Sequence, residues 1–152
     1  MRPVLLVAHL LGIVLWMGGG IAAMALGLAM REMPRRELGA VAGLVGRLHR
    51  AMILPGVLLA VVSGLLLTLQ LYGTATAAEG FPVPLMIMQG AGLVAAVLAL
   101  VVNLPTVARL TRLDPAGDHG PLFDALRQKA ARSGMLTGLL AVTALVAGAW
   151  LP

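Results

Sequence analysis

The chain has 152 residues, of which 60% are hydrophobic and 11% are charged, and its mean hydropathy is +0.98. A composition this apolar is typical of a protein that crosses a membrane several times and excludes an ordinary soluble domain. The formal net charge is +5, and the chain contains no cysteine, which excludes disulfides, iron–sulfur clusters, thiolate metal sites and covalently attached haem.

Four apolar runs follow one another, and each is long enough to cross a bilayer, which needs about 20 helical residues. We expect one domain over residues 1–152, with spans at about 3–30, 49–73, 84–108 and 134–151. The first run is too long for the core of a signal peptide, so we interpret it as a retained span.

The basic residues are concentrated in two of the three connections. Ten of them lie around the first and third connections: Arg31, Arg35, Arg36, Arg47, Arg50, Arg109, Arg112, Arg127, Lys129 and Arg132. The second connection, "YGTATAAEGFPVP", has no Lys or Arg, and the N-terminus has only Arg2. The positive-inside rule therefore places both termini outside, in the periplasm, and predicts a multi-pass protein of a bacterial inner membrane. This charge pattern is explained by topology, and we expect no nucleic-acid partner.

The segments beside the spans are predicted to be partly helical. Residues 35–54 can continue the second span as one helix, which Pro55 should kink. Asp118 should cap a helix that begins near Pro121 and leads into the fourth span. The sequence Asn-Leu-Pro at 103–105 predicts a local break in the third span.

Small residues recur at helical spacing in every span and predict close packing of the helices. They are Gly19, Ala23 and Gly27, then Gly56, Ala60 and Gly64, then Gly92, Ala96 and Ala99, and finally Gly134, Gly138 and Ala141. The predicted fold is all-α, an integral membrane antiparallel four-helix bundle surrounded by lipid. We also expect a homo-oligomer or membership of a larger membrane complex.

The acidic residues all fall in the connections: Glu32, Glu37, Glu79, Asp114, Asp118 and Asp124. Proton pumps and cation transporters normally need ionisable groups within their spans, because those groups bind the ion. The sequence therefore disfavours transport by a relay of buried acids.

The stretch "AHLLGIVLWMGGG" places His9, Gly12 and Trp16 on one face of the first span. A neutral imidazole is a common ligand of haem iron, and Gly12 beside it would leave room for a flat macrocycle. The alternative is that His9 makes a hydrogen bond to Gln89 or to a backbone carbonyl and holds two helices together. Burial of an unpaired histidine is costly, which favours one of these two roles.

Helical rise places several polar groups at one level. At 1.5 Å per residue, His9 lies about 10 Å outside the centre of the first span, close to the level of Gln89. Gln70, Met86 and Met88 fall nearby and complete a predicted cluster in the outer leaflet.

The members of this cluster suggest different roles. Met86 or Met88 could be a second axial ligand opposite His9, and Gln89 could orient a partner or a haem propionate. Thioethers also favour Cu(I), so copper handling by His9 with the two methionines is a third hypothesis. His49 would lie more than about 20 Å from His9, so one haem cannot bridge them within a monomer.

The sequences "LVAHLLGIVLWMGGG" and "GRLHRAMILPGVLLAVVSGLLL" resemble small four-helix membrane proteins of the HemJ-type protoporphyrinogen oxidase group, whose broader relatives include the membrane part of copper-resistance protein D. The resemblance implies a four-helix fold and a b-type haem at His9. The lysine that the group uses early in its third span has no counterpart here, where Gln89 is nearest by position. The resemblance therefore extends to the cofactor rather than to the oxidase reaction.

Two main functional hypotheses follow. The first is a haem b protein that acts in electron transfer or haem-linked oxidoreduction through His9. The second is a non-catalytic accessory subunit of a larger respiratory or photosynthetic complex, suggested by abundant small-residue faces and few buried reactive groups.

Overall fold

The computed structural model describes residues 2–73 and 80–151, and its regular structure within those ranges is entirely helical. The α-helices and two π-helical segments are α1 (Arg2–Ala29), α2 (Arg35–Leu48), π1 (His49–Ile53), α3 (Leu54–Tyr72), α4 (Val83–Val97), π2 (Leu98–Asn103), α5 (Leu104–Leu110) and α6 (Gly120–Ala149). The predicted all-α class is confirmed.

These segments join into four long helices, each long and apolar enough to cross a membrane. They span Arg2–Ala29, Arg35–Tyr72, Val83–Leu110 and Gly120–Ala149, and are called the first to fourth long helices below. Four such helices support a multi-pass membrane protein.

The second long helix confirms that the first basic connection continues into the apolar run. Its 38 residues correspond to about 57 Å, whereas the hydrocarbon layer of a bilayer is about 30 Å thick. The extra turns belong to α2, which is amphipathic and buries Leu38, Val41, Ala42 and Val45 on one face. This helix therefore extends beyond the apolar layer at its basic end.

The prolines at 55 and 105 are each preceded by a π-helical segment. The residue before each proline donates its N–H to the carbonyl five positions earlier, as Leu54 does to His49 and Leu104 does to Ala99. Proline has no N–H, and its ring collides with the carbonyl four residues earlier, so a wider turn relieves both problems. The third long helix continues through 103–105 to Leu110, so in place of the predicted break it has a π-helical segment that ends at Asn103. Pro55 coincides with a similar local change of helix.

The fourth long helix begins at Gly120, with Pro121 in its first turn, so the predicted start is confirmed. The predicted cap is wrong. His119 occupies the N-cap position, and no side chain caps the helix there. Asp118 lies one residue too early and is exposed.

The first and second long helices approach each other so closely that their backbones touch. A Cβ atom added at Gly12 would lie 2.5 Å from Ala60 N, and one added at Gly56 would lie 2.6 Å from Trp16 N. A Cβ at Gly19 would lie 2.9 Å from Ile53. Residues later in the first helix therefore contact residues earlier in the second helix. The main apolar cluster lies at this crossing and includes residues of the third long helix as well. Its buried members are Trp16, Ile53, Val57, Ala60, Ala95, Ala96 and Ala99.

The third and fourth long helices form the other closely packed pair. Gly92 faces Ala144, and the Asn103 amide donates to Thr137 Oγ1 at 3.1 Å. Gly134 and Gly138, however, have open space where a Cβ would lie. Their predicted role in packing within one chain is therefore wrong.

A second apolar core lies at the basic end of the molecule. It contains the buried side chains of Met30, Leu38, Val41, Ala42, Leu110 and Phe123. At the surface beside this core, Arg35 forms an ion pair with Asp124 at 2.6 Å, and Arg127 donates to the Met30 carbonyl at 3.1 Å. These contacts join the first, second and fourth long helices where they leave the apolar layer.

We predict that Gly56→Ala destabilises the protein, because the new methyl group would overlap the Trp16 backbone. Overpacking of this kind lowers the free energy of unfolding by about 1–3 kcal/mol. The measurement is the thermal unfolding midpoint in detergent. Gly18→Ala is the matched control, since open space surrounds that position and alanine favours helix by about 0.5–1 kcal/mol. Equal midpoints for the two variants would contradict the close crossing.

Candidate functional site

The imidazole of His9 is half-buried between the first and second long helices. Its Nδ1 lies 2.8 Å from the Ala60 carbonyl oxygen and 3.4 Å from Ser63 Oγ. The ring lies over Gly64, where an added Cβ would be 2.9 Å from His9 Cε1 and 3.1 Å from Nδ1. Glycine at position 64 therefore provides the space that the ring fills.

This hydrogen bond fixes which ring nitrogen of His9 holds the proton. A carbonyl oxygen only accepts, so the short contact to Ala60 requires Nδ1–H as the donor. In the neutral ring, Nε2 then has a free lone pair. Metal-binding histidines are commonly held in this way, with one nitrogen donating to a carbonyl and the other facing the metal.

Gly12 and Trp16 face the second long helix rather than an open site. The space beside Gly12 is filled by the backbone of Gly56 and Ala60, so the prediction that it leaves room for a macrocycle is wrong. Trp16 is only 9% exposed and belongs to the main apolar cluster. Both residues therefore support the crossing that holds His9 against Ala60.

Gln89 joins the third long helix to the second. Its Nε2 donates to Thr68 Oγ1 at 2.7 Å, and the Thr68 hydroxyl donates to the Gly64 carbonyl at 3.0 Å. Thr68 is one turn beyond Gly64, so Gln89 and His9 reach the second helix about 6 Å apart in height. The predicted common level of these two residues stays a prediction. The predicted hydrogen-bond partner of His9 is either Gln89 or a backbone carbonyl, and the structure shows the carbonyl of Ala60.

The remaining members of the predicted cluster lie elsewhere. Met86 is 58% exposed, and Gln70 is exposed as well. Met88 packs on the fourth long helix, where a Cβ at Gly148 would be 3.0 Å from its Sδ, whereas His9 lies against the second. In residues 2–73 and 80–151, no three His, Cys, Asp or Glu side chains are grouped so that they could hold a metal. Copper handling stays a prediction.

Comparisons of this chain with models of protein families, with curated proteins and with solved structures give no match. The site is therefore interpreted from its own geometry.

The other two histidines are separate from His9. His49 is buried at the start of π1, and its Nδ1 donates to the Val45 carbonyl at 2.9 Å. It precedes Gly64 by 15 residues, which corresponds to about 22 Å along the helix and agrees with the separation expected from helical rise. His119 is exposed at the start of the fourth long helix.

The sequence does not identify the residues that surround the His9 ring, namely Ala60, Ser63 and Gly64. The series Gly56, Ala60, Gly64 was a visible signal, because its spacing places small residues on one helix face. It indicated a packing face, but one sequence does not show which side chain that face receives.

We predict a favourable coupling between Thr68 and Gln89 in a double-mutant cycle of Thr68→Val and Gln89→Leu. Hydrogen bonds between membrane helices contribute about 0.6 kcal/mol on average and up to about 1.7 kcal/mol. Unfolding in mixed micelles measures the coupling. A cycle of Gln89→Leu with Thr143→Val should give none, because the Thr143 hydroxyl binds within its own helix, to Leu139. A coupling of zero in the first cycle would refute the contact.

Proposed function

We propose that this chain is a b-type haem-binding protein of a bacterial inner membrane, and that Nε2 of His9 is the ligand of the haem iron. The observation that supports this best is the short bond from His9 Nδ1–H to the Ala60 carbonyl, which in the neutral ring leaves Nε2 with a free lone pair. The proposed role is electron transfer or haem-linked oxidoreduction.

The proposal includes an antiparallel bundle with both termini in the periplasm. It is supported by contacts between the first and second long helices that pair residues in opposite order. The basic residues cluster around the first and third connections, which favours that end as the cytoplasmic one. His9 then lies in the outer half of the bilayer.

The residues around His9 fit one axial ligand for haem. The Ala60 carbonyl orients the ring and makes Nε2 a better donor to a metal, as second partners of metal-bound histidines do. The absence of a side chain at Gly64 leaves room for the ring against the second long helix. Haem, when bound, supplies one-electron redox chemistry, and the protein contributes the ligand, its orientation and the apolar surroundings.

His9→Asn distinguishes a role of His9 as an iron ligand from a role in holding two helices together. The asparagine amide can place an N–H where Nδ1 lies and still donate to Ala60, but it has no nitrogen in the place of Nε2. We expect this variant to unfold close to the wild-type temperature and to lose the Soret band of protein purified after haem loading. His9→Ala should lose the band and also unfold at a lower temperature.

The matched control for the spectrum is His119→Ala, which removes an exposed histidine outside the spans. It should keep the wild-type Soret band in both oxidised and reduced spectra. A Soret band that survives in His9→Asn, or its absence from the haem-loaded wild type, would refute the proposal.

A second candidate function is an accessory subunit that packs against other membrane helices. The fourth long helix favours this role, because only 11% of its most apolar 18-residue stretch is buried within the chain. Gly134 and Gly138 on this helix stand one turn apart with open space beside them. Small residues at this spacing let membrane helices approach closely.

We predict that Gly134→Leu combined with Gly138→Leu abolishes any co-migration of this chain with a larger assembly in native gels of mild-detergent extracts. The expected cause is a steric block to close helix approach. Gly18→Leu is the control, because that glycine also has open space but lies on the first long helix. A chain that runs as a monomer before any substitution would refute the subunit role.

A further inference from the structure

A groove of about 280 Å³ lies between the second and third long helices, near the basic end. His49, Arg50 and Leu54 form one wall, and Leu104, Val107 and Ala108 form the other. Its exposed lining is almost entirely apolar, and the polar residues that contribute to it are His49, Arg50 and Thr111.

The groove is closed at one end and reaches the apolar layer at the other. At the closed end Gly46 touches Thr111, whose Cγ2 would be 2.7 Å from a Cβ at position 46. At the other end, Leu54 and Leu104 stand immediately before the two prolines that follow the π-helical segments. Leu54 follows Gly46 by eight positions, which corresponds to about 12 Å along the helix, comparable with a lipid head group and the start of its chain.

Among the described residues, no carboxylate forms an ion pair with the arginines beside this groove. Arg50 lines the wall, and Arg112 directly follows the lining residue Thr111, in the turn after α5. The ion pairs formed among the described residues involve Arg35, Arg36 and Arg127, so neither Arg50 nor Arg112 is paired with a described carboxylate. Guanidinium groups bind phosphate through paired hydrogen bonds, and a phosphate here would supply the missing negative charge.

We propose that this groove binds an anionic phospholipid of the inner leaflet. The acyl chain lies along Leu54, Leu104 and Val107, and the phosphate is bound by Arg50 and Arg112. Basic pockets between membrane helices on the cytoplasmic side are suited to such head groups. The inference depends on the basic end facing the cytoplasm and is independent of haem binding at His9.

The test uses the full chain in detergent, titrated with phosphatidylglycerol or phosphatidylcholine and followed by native mass spectrometry. We expect the wild type to retain phosphatidylglycerol in preference to phosphatidylcholine. Arg50→Gln with Arg112→Gln should weaken phosphatidylglycerol binding on the order of 10- to 30-fold. The reason is that each basic residue near an anionic membrane surface strengthens binding roughly 3- to 5-fold.

The matched control is Lys129→Gln with Arg132→Gln, which removes two exposed charges from the fourth long helix, outside the groove. This variant should bind like the wild type. A second variant, Ala108→Phe, fills the groove and leaves every arginine in place, and it should also weaken binding while the circular dichroism stays unchanged.

Three outcomes would overturn the proposal. The first is equal loss in the arginine pair and in the control pair. The second is no preference for phosphatidylglycerol over phosphatidylcholine. The third is full competition by inorganic phosphate together with normal binding by Ala108→Phe, which would show a surface anion site in place of a lipid groove.

Discussion

The close approach of Gly12 to Ala60 and of Gly56 to Trp16 is the constraint on which the rest of this structure depends. Lipid does not drive membrane helices together by the hydrophobic effect, so dispersion between touching backbones has to hold them. Only residues without a Cβ allow that distance. The same crossing sets the register of the two helices, and the register in turn places His9 beside the Ala60 carbonyl.

Several polar groups within the apolar part of the bundle have a hydrogen-bond partner on a neighbouring turn or helix. His9 uses Ala60, Gln89 uses Thr68, and Asn103 uses Thr137 and Ser133. Among the described residues, no buried side-chain nitrogen or oxygen lacks a hydrogen bond. In hydrocarbon an unpaired polar group costs several kcal/mol, so these bonds also fix which helices meet.

The two ends of the molecule have different chemistry. At the basic end, helices extend past the apolar layer, enclose a second core around Phe123, and leave Arg50 beside an apolar groove. At the opposite end, the polar contacts of His9 and Gln89 lie between helices. The prolines at 55 and 105 belong to the basic half, where π-helical turns widen both helices next to the groove. A lipid site at one end and a haem ligand toward the other would therefore be independent.

The sequence by itself determined the four apolar helices, the continuation of the first basic connection into the second of them, and the start of the fourth near Pro121. These features depend on the composition and the helical period of single segments, so the residues of one helix are enough to determine them. Tertiary structure decided that Gly12 packs against the second helix, that Gly134 faces outward, and that His9 bonds a carbonyl. Those outcomes depend on the register between helices, and register results from backbone contacts between segments that are distant in sequence.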